Sequence, residues 1–304
     1  MIPRSFEIGP LTLHLYGLVI ALSILAGWAL AKNRAHLYKI PKSLFDEPML
    51  LTPLILGLIG ARLYHVLDLW SHYSQNPSEI LKIANGGLGI WGGLFGILVG
   101  FVLIAKIKKV KILSLLDLIA PSLMLSQSIG RFGNFINQEA FGPPTTLPWG
   151  VYIEPANRPI QYMEFSRFHP TFFYEAALDL LFFFILLYLS KPSSSHSLPS
   201  SSRTRGSRFS IWSSISLRPF LTVSVVERSR MTIEKTLGLN LKVPGQTFAL
   251  YLILYAIGRF TVEFVRIDTW TISQIKVAQI LAAVTILIGI FTFFRRIRPL
   301  DSSA

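Results

Sequence analysis

The sequence predicts an all-α polytopic membrane protein of seven transmembrane helices. Three observations lead there. Of 304 residues, 51% are apolar. Only 15% are charged, where an ordinary soluble domain has about 25%. Mean hydropathy is +0.51, and seven windows approach the roughly 20 apolar residues that cross about 30 Å of hydrocarbon. This composition excludes a disordered chain and argues against a soluble enzyme.

The windows cover residues 11–31, 49–69, 88–104, 113–129, 172–189, 247–265 and 277–294. The first has no basic leader beyond Arg4 and no small-residue cleavage site after it, so it reads as a span rather than a signal peptide. Basic residues orient the set. The segments after spans one, three and five and the C-terminal tail carry twenty of the 29 Lys and Arg, among them Lys32, Lys106, Arg203 and Arg295. The opposite side carries five: Arg4, Lys82, Arg158, Arg167 and Lys276. The positive-inside rule then puts the N-terminus outside and the C-terminus in the cytoplasm. The net charge of +13 is mostly this topology signal, with some attraction to anionic lipid, and does not point to nucleic acid.

The reading is of one integral-membrane domain over 1–304. The polar segments 68–87 and 135–168 form a small head on the outer side. Residues 191–245 are a cytoplasmic loop between spans five and six. Within it, 193–216 holds 12 Ser in 24 residues and reads as a disordered insertion. Cysteine is absent, which removes disulfides, thiolate metal sites and a cysteine nucleophile.

Ionisable groups inside spans are costly unless paired or hydrated, so they mark candidate sites. Arg62 and His65 lie on span two, and Arg131 ends span four. His169 and Glu175 frame the start of span five, and Arg259 and Glu263 lie one turn apart on span six. Singly, each has a plain structural explanation; Arg259 and Glu263 at i, i+4 could neutralise each other. Together, two or three arginines near one membrane face suggest a pocket for an anionic lipid headgroup, since guanidinium forks match phosphate. His14, near the outer surface, is a candidate acid or base or a solvated headgroup-level residue.

Gly92, Gly96 and Gly100 recur on one face of span three. Two readings stay open: close helix packing, or a backbone approached by ligand at Gly92-Gly93. No Gly-Lys-Ser/Thr follows, which excludes a nucleotide P-loop.

The stretch Gly130-Arg131-Phe132-Gly133-Asn134-Phe135-Ile136-Asn137-Gln138-Glu139-Ala140-Phe141-Gly142 resembles the signature of the bacterial prolipoprotein diacylglyceryl transferases. His169-Pro170 with Tyr174-Glu175 is a second likeness, and Tyr255, Arg259-Phe260, Glu263-Phe264 and Arg266 form a third. Weaker ones are His14 with Tyr16-Gly17, Gly60 with Arg62, and the glycine pair of span three. The resemblance implies an enzyme of the cytoplasmic membrane of bacteria, multi-pass, with its active site facing the outer leaflet. Such enzymes transfer the diacylglyceryl group of phosphatidylglycerol to the lipobox cysteine thiol of a prolipoprotein, giving a thioether and glycerol phosphate. No metal or other cofactor is implied, and the partners are lipid and prolipoprotein; the chain is expected to act as a monomer.

On this likeness, Arg131 and Arg259 hold the phosphate. Asn134 and Asn137 bond the headgroup or steady the loop, and Glu139 and Glu263 orient the arginines. Tyr16 contacts lipid near the reacting carbon, and Tyr255 shares the Arg259 face. Gly142, Gly92 and Gly93 complete the phosphatidylglycerol site. A thiol of pKa about 8.5 needs a base. Some relatives carry histidine before the glycine pair of span three; here that residue is Trp91, and indole accepts no proton. Either His14, His169 or Glu263 serves, or that histidine is not the base in this subset, or the chain is an inactive lipid-binding homologue. Pro143 also stands where a basic residue is common. An anion transporter using Arg62, Arg131 and Arg259 is the alternative from another class. A metal-dependent headgroup transferase would need an aspartate cluster, and the aspartates are scattered.

Overall fold

The computed structural model describes residues 4–9, 11–83, 86–190, 232, 243–267, 269–272 and 275–295. The serine-rich stretch and most of the loop around it lie outside the described residues. So do Asp268 and the last basic residues of the tail, Arg296 and Arg298. The chain folds as two compact units, Met1–Asn137 and Gln138–Ala304.

The first unit opens with an antiparallel hairpin, β1 (Ser5–Ile8) against β2 (Leu11–His14). The helices that follow are α1 (Leu15–Arg34), α2 (Thr52–Asp68), the single turn α3 (Trp70–Tyr73), α4 (Ile90–Ile107) and α5 (Ile112–Asn137). In the second unit, a short pair β3 (Val151–Tyr152) and β4 (Arg167–Phe168) precedes α6 (Thr171–Leu189). Then come α7 (Gln246–Glu263), the pair β5 (Thr271–Ile272) and β6 (Ile275–Lys276), and α8 (Val277–Arg295).

The structure is thus mostly helical and multi-pass in character. Among the described residues, six helices are long and apolar enough to cross a membrane. The remaining long helix, α7, falls outside that set because Gln246, Thr247, Arg259, Thr261 and Glu263 dilute its hydropathy. The predicted first span starts too early. Leu11–His14 is strand, because these residues pair with Ser5–Ile8, and helix begins only at Leu15. A hydropathy window cannot separate an apolar strand from the helix that continues it.

The two closest helix pairs of the first unit are built on small residues. A Cβ added to Gly96 would lie 2.0 Å from Leu56 O; one on Gly92 would lie 2.1 Å from Gly60 O, and one on Gly100 2.5 Å from Pro53 Cα. The backbones of α2 and α4 therefore touch directly, the means by which helices associate where lipid is as apolar as leucine. On α1 and α5, Gly27 faces Ser122 and Ser126, and Ser126 Oγ donates to Ser23 O at 2.7 Å. The connection between α1 and α2 is fastened by side chains. Lys32 pairs with Asp46, Lys108 pairs with Glu47, and Trp28 Nε1 donates to Phe45 O.

Arg62 shapes the opposite connection, between α2 and α4. It is 7% exposed. Nε donates to Ile80 O (2.9 Å), Nη2 to Glu79 O (2.5 Å), and Nη1 to Gly86 O and Gly87 O (2.8 and 2.9 Å). Tyr73 covers the guanidinium at 5.2 Å. Gly86 and Gly87 adopt φ of +85° and +74°, the left-handed region that favours glycine. That turn brings both carbonyls to one nitrogen. In the same loop His72 Nε2 meets the Glu79 carboxylate at 2.9 Å. The hydrogen bond from His72 holds the Glu79 carboxyl below its ordinary value of 4.5.

Three outcomes are expected. Gly96→Ala forces a methyl into backbone and should cost about 2–3 kcal/mol, the upper part of the overpacking range. Gly17→Ala meets nothing within 4 Å and should be neutral; thermal unfolding in detergent compares them. Arg62→Met should leave four carbonyls without their donor and open the loop to limited proteolysis between residues 76 and 88. A depressed carboxyl stabilises the fold above its unfolded pKa and loses this as it is protonated. The His72–Glu79 contact should therefore be intact above pH 4.5 and released as pH falls through the lowered value, seen as faster amide exchange in wild type but not in Glu79→Gln.

Candidate functional site

Two groups of residues sit at helix ends, one in each unit. In the first unit, Arg131, Asn134 and Asn137 occupy the last two turns of α5, all partly buried. Steps of three residues place them along one stripe of the helix. The neighbouring stripe is fixed by α1. A Cβ on Gly133 would lie 2.7 Å from Tyr16 Cδ2, so the Tyr16 ring rests on the Gly133 backbone. Tyr16 is thereby positioned beside the Arg131 turn. His14 ends β2 and caps α1 without a side-chain cap bond, and its side chain is exposed.

Gly92 and Gly93 open α4. The space at Gly92 is taken by Gly60 O and Tyr64 Cβ, whereas a Cβ on Gly93 would find ordinary contacts at 3.5 Å and beyond. Trp91 is 48% exposed. An open pocket of about 170 Å³ lies nearby, lined by Arg62, His65, Tyr73, Glu79, Lys82 and the Gly86-Gly87 backbone. Four of the Arg62 N–H groups are already turned to carbonyls, so Arg62 forms the wall of this pocket rather than an anion receptor in it.

The second unit holds the stronger constellation. Glu175 (2% exposed) on α6 and Glu263 (0%) on α7 are both buried. Arg259 lies between them: Nη2 meets Glu263 Oε2 at 2.8 Å, and Nη1 donates to Glu175 Oε2 at 3.5 Å. A guanidinium carries five N–H groups; the Glu175 contact takes one of them, and the Glu263 contact is an ion pair without hydrogen-bond alignment. The Glu263 pairing follows from one helical turn of spacing. The Glu175 pairing joins residues 84 apart in sequence, and sequence reasoning did not make it. Lys276 Nζ donates to the Glu263 and Arg266 carbonyls, closing the C-terminal end of α7. Tyr255, one turn before Arg259, stacks on Tyr251 with ring centres 6.1 Å apart.

The chain between α5 and α6 explains the Gly142 motif. Gln138 and Ala140 take positive φ (54° and 58°). Gln138 Oε1 accepts from Glu154 N (2.7 Å) and Asn157 Nδ2 (3.1 Å). Gly142 N donates to His169 O at 2.8 Å, and a Cβ there would lie 2.9 Å from His169 Cβ, Thr171 Cγ2 and Val265 O. Gly142 thus allows three segments to meet, with Thr171 Oγ1 donating to Ala140 O at 2.5 Å. Glu139 is exposed. His169 is partly buried, and its Nδ1 lies 3.1 Å from Tyr174 Oη, which accepts from Trp149 Nε1 at 2.9 Å. Tyr174 and Trp149 were not read as functional from the sequence; neither is charged, so neither breaks the apolar pattern.

Comparison with known proteins gives one answer. The family model described as prolipoprotein diacylglyceryl transferase matches residues 3–220 and 215–295. A Nostoc protein named phosphatidylglycerol–prolipoprotein diacylglyceryl transferase is 35% identical over 302 residues, covering 98% of this chain and 91% of its own. Proteins of the same name from Fervidobacterium nodosum (35% over 285 residues; 93% and 81% covered) and Staphylococcus haemolyticus (34% over 303; 97% and 89%) agree. With Arg259 and its two buried carboxylates lying on the motifs that the likeness rests on, the chain belongs to the prolipoprotein diacylglyceryl transferase family.

Proposed function

We propose that the chain is a transferase that moves the diacylglyceryl group of phosphatidylglycerol to the lipobox cysteine of a prolipoprotein. The cysteine sulfur attacks the sp³ glycerol carbon next to the phosphate. The carbon–oxygen bond breaks, its electrons leave with the phosphate oxygen, and the thiol proton passes to a base. A thioether and glycerol phosphate result. The supporting observation is Arg259, held at the end of α7 between two buried carboxylates, on a chain alignable with these transferases over nearly its whole length. Fixing a guanidinium in advance means that the leaving phosphate meets an oriented donor without reorganisation.

In this reading Arg259 and Arg131 bind the phosphate, and Glu175 and Glu263 orient Arg259. Asn134, Asn137 and Glu139 serve the headgroup and the Arg131 turn. Tyr16 lies against lipid near the reacting carbon, Tyr255 flanks Arg259, and Gly142 preserves the loop. Seven spans then include α7, its polar face turned to substrate, with the N-terminus outside and the chemistry at the outer leaflet of the bacterial cytoplasmic membrane. The protein acts as a monomer.

Transfer of labelled diacylglycerol from phosphatidylglycerol to a lipobox peptide tests the reading. Arg259→Ala and Arg131→Ala should each lower transfer by at least about 10²-fold, the scale of losing one transition-state donor, with membrane insertion intact. Retained activity in both would refute the phosphate role. Absence of label with folded wild-type protein that still binds phosphatidylglycerol would identify an inactive homologue instead.

A further inference from the structure

The proposed reaction needs a proton acceptor, and the residue ahead of the glycine pair, Trp91, cannot be one. We propose that Tyr174 and His169 form the proton relay that activates the substrate thiol, with Trp149 setting its direction. This rests on the transfer reaction proposed above.

The argument is one of hydrogen-bond direction. An indole N–H only donates, so Tyr174 Oη is the acceptor from Trp149 at 2.9 Å. The phenol has a single proton to give, and His169 Nδ1 lies 3.1 Å away. The relay uses the tautomer with the imidazole hydrogen on Nε2, in which Nδ1 is a lone-pair acceptor for the phenol proton. A thiol that donates to Tyr174 Oη can then lose its proton as the phenol passes its own to Nδ1. The sulfur lone pair attacks carbon, the carbon–oxygen bond breaks toward phosphate, and the proton held on His169 returns through Tyr174 to solvent or to the glycerol phosphate. Trp149 stabilises the oxygen while it is short of its proton.

The surroundings support the arrangement. His169 is anchored by backbone on both sides: its carbonyl accepts from Gly142 N, and its N–H donates to Pro143 O. The backbone that carries the ring therefore has a fixed place at the start of α6. Trp149 is 56% exposed, so the outer end of the relay is reachable by a peptide. Tyr174 precedes Glu175, the buried partner of Arg259, so the relay and the anchor of the arginine share the start of α6. The charged groups on the elements that meet at this segment are Arg167 on β4, Glu175 and Asp179 on α6, Arg259 and Glu263 on α7, and Arg266 just beyond it.

The test is the pH dependence of transfer from labelled phosphatidylglycerol to a lipobox peptide by the full-length protein in lipid nanodiscs. At pH 7 a thiol of pKa about 8.5 is roughly 3% ionised, so loss of its base should cost about 30-fold. His169→Gln and Tyr174→Phe should both show that loss, climb about tenfold per pH unit from pH 6.5, and approach wild type near pH 9. A second arm replaces the lipobox cysteine by selenocysteine, which is ionised at neutral pH. Both variants should then transfer within about threefold of wild type at pH 7, a rescue that a merely structural defect would not give. Wild-type pH dependence in both variants, or failure of the selenol to restore either, overturns the relay. Absence of transfer by wild type itself overturns the function reading instead.

Discussion

A guanidinium at the end of an apolar helix must be met by oxygen, and the structure is organised around how that demand is answered. Burying an unpaired charge costs more than most folds can spare. Arg62 is answered by four backbone carbonyls of one loop, so the loop between α2 and α4 is pulled onto the helix end. Arg259 is answered by two carboxylates, one from its own helix and one from α6. The first solution uses up the arginine to make structure. The second holds it in place while leaving other donors of the same group for a ligand.

That difference was invisible in sequence. Arg62 and Arg259 both stand on apolar helices within a few residues of an aromatic, and both belong to stretches that resemble the transferases. Spacing exposes an i, i+4 partner such as Glu263, because one turn of helix is a fixed geometry. It exposes neither a carbonyl acceptor, which every residue carries, nor Glu175, which only the packing of α6 on α7 supplies. Helix existence was legible because lipid demands long apolar runs. Helix starts were not, as β2 shows, since the hairpin is made by hydrogen bonds that hydropathy does not register. Glycine spacing on α4 was legible as a packing face, and the contacts with Gly60, Leu56 and Pro53 give that face its partner. Of the candidate site, the charged members were legible, while the neutral relay through Tyr174 and Trp149 was not.

Close packing and site geometry are linked within each unit. In the first, Gly133 leaves room for the Tyr16 ring against α5, so one side of the Arg131 turn is closed by a ring whose position is set by the α1–α5 contact. In the second, Gly142 brings His169, the first residue of α6 and the carbonyl of Val265 to one point. A side chain there would push apart the segment that carries His169 and the end of the helix that carries Arg259. The glycines of the motif thus act through distance: each lets a neighbouring segment approach the backbone, so that charged and proton-carrying side chains can be held at fixed separations.

The balance between the two chemical demands explains why tryptophan is tolerable before the glycine pair. Raising a thiol of pKa about 8.5 from roughly 3% to full ionisation at pH 7 is worth about 30-fold, near 2 kcal/mol. Displacing a phosphate from an sp³ carbon is a much larger task, and one oriented donor at developing charge commonly contributes 10²–10³-fold. Selection on such a site therefore bears harder on the arginine and its carboxylates than on the identity of the base. A base need only lie within reach of the thiol with a path for its proton, and hydroxyl and imidazole groups at a helix start can provide that in more than one place. The arginine has no such freedom: its charge must be paired and its orientation held at once, and for Arg259 the two buried glutamates are placed to do both.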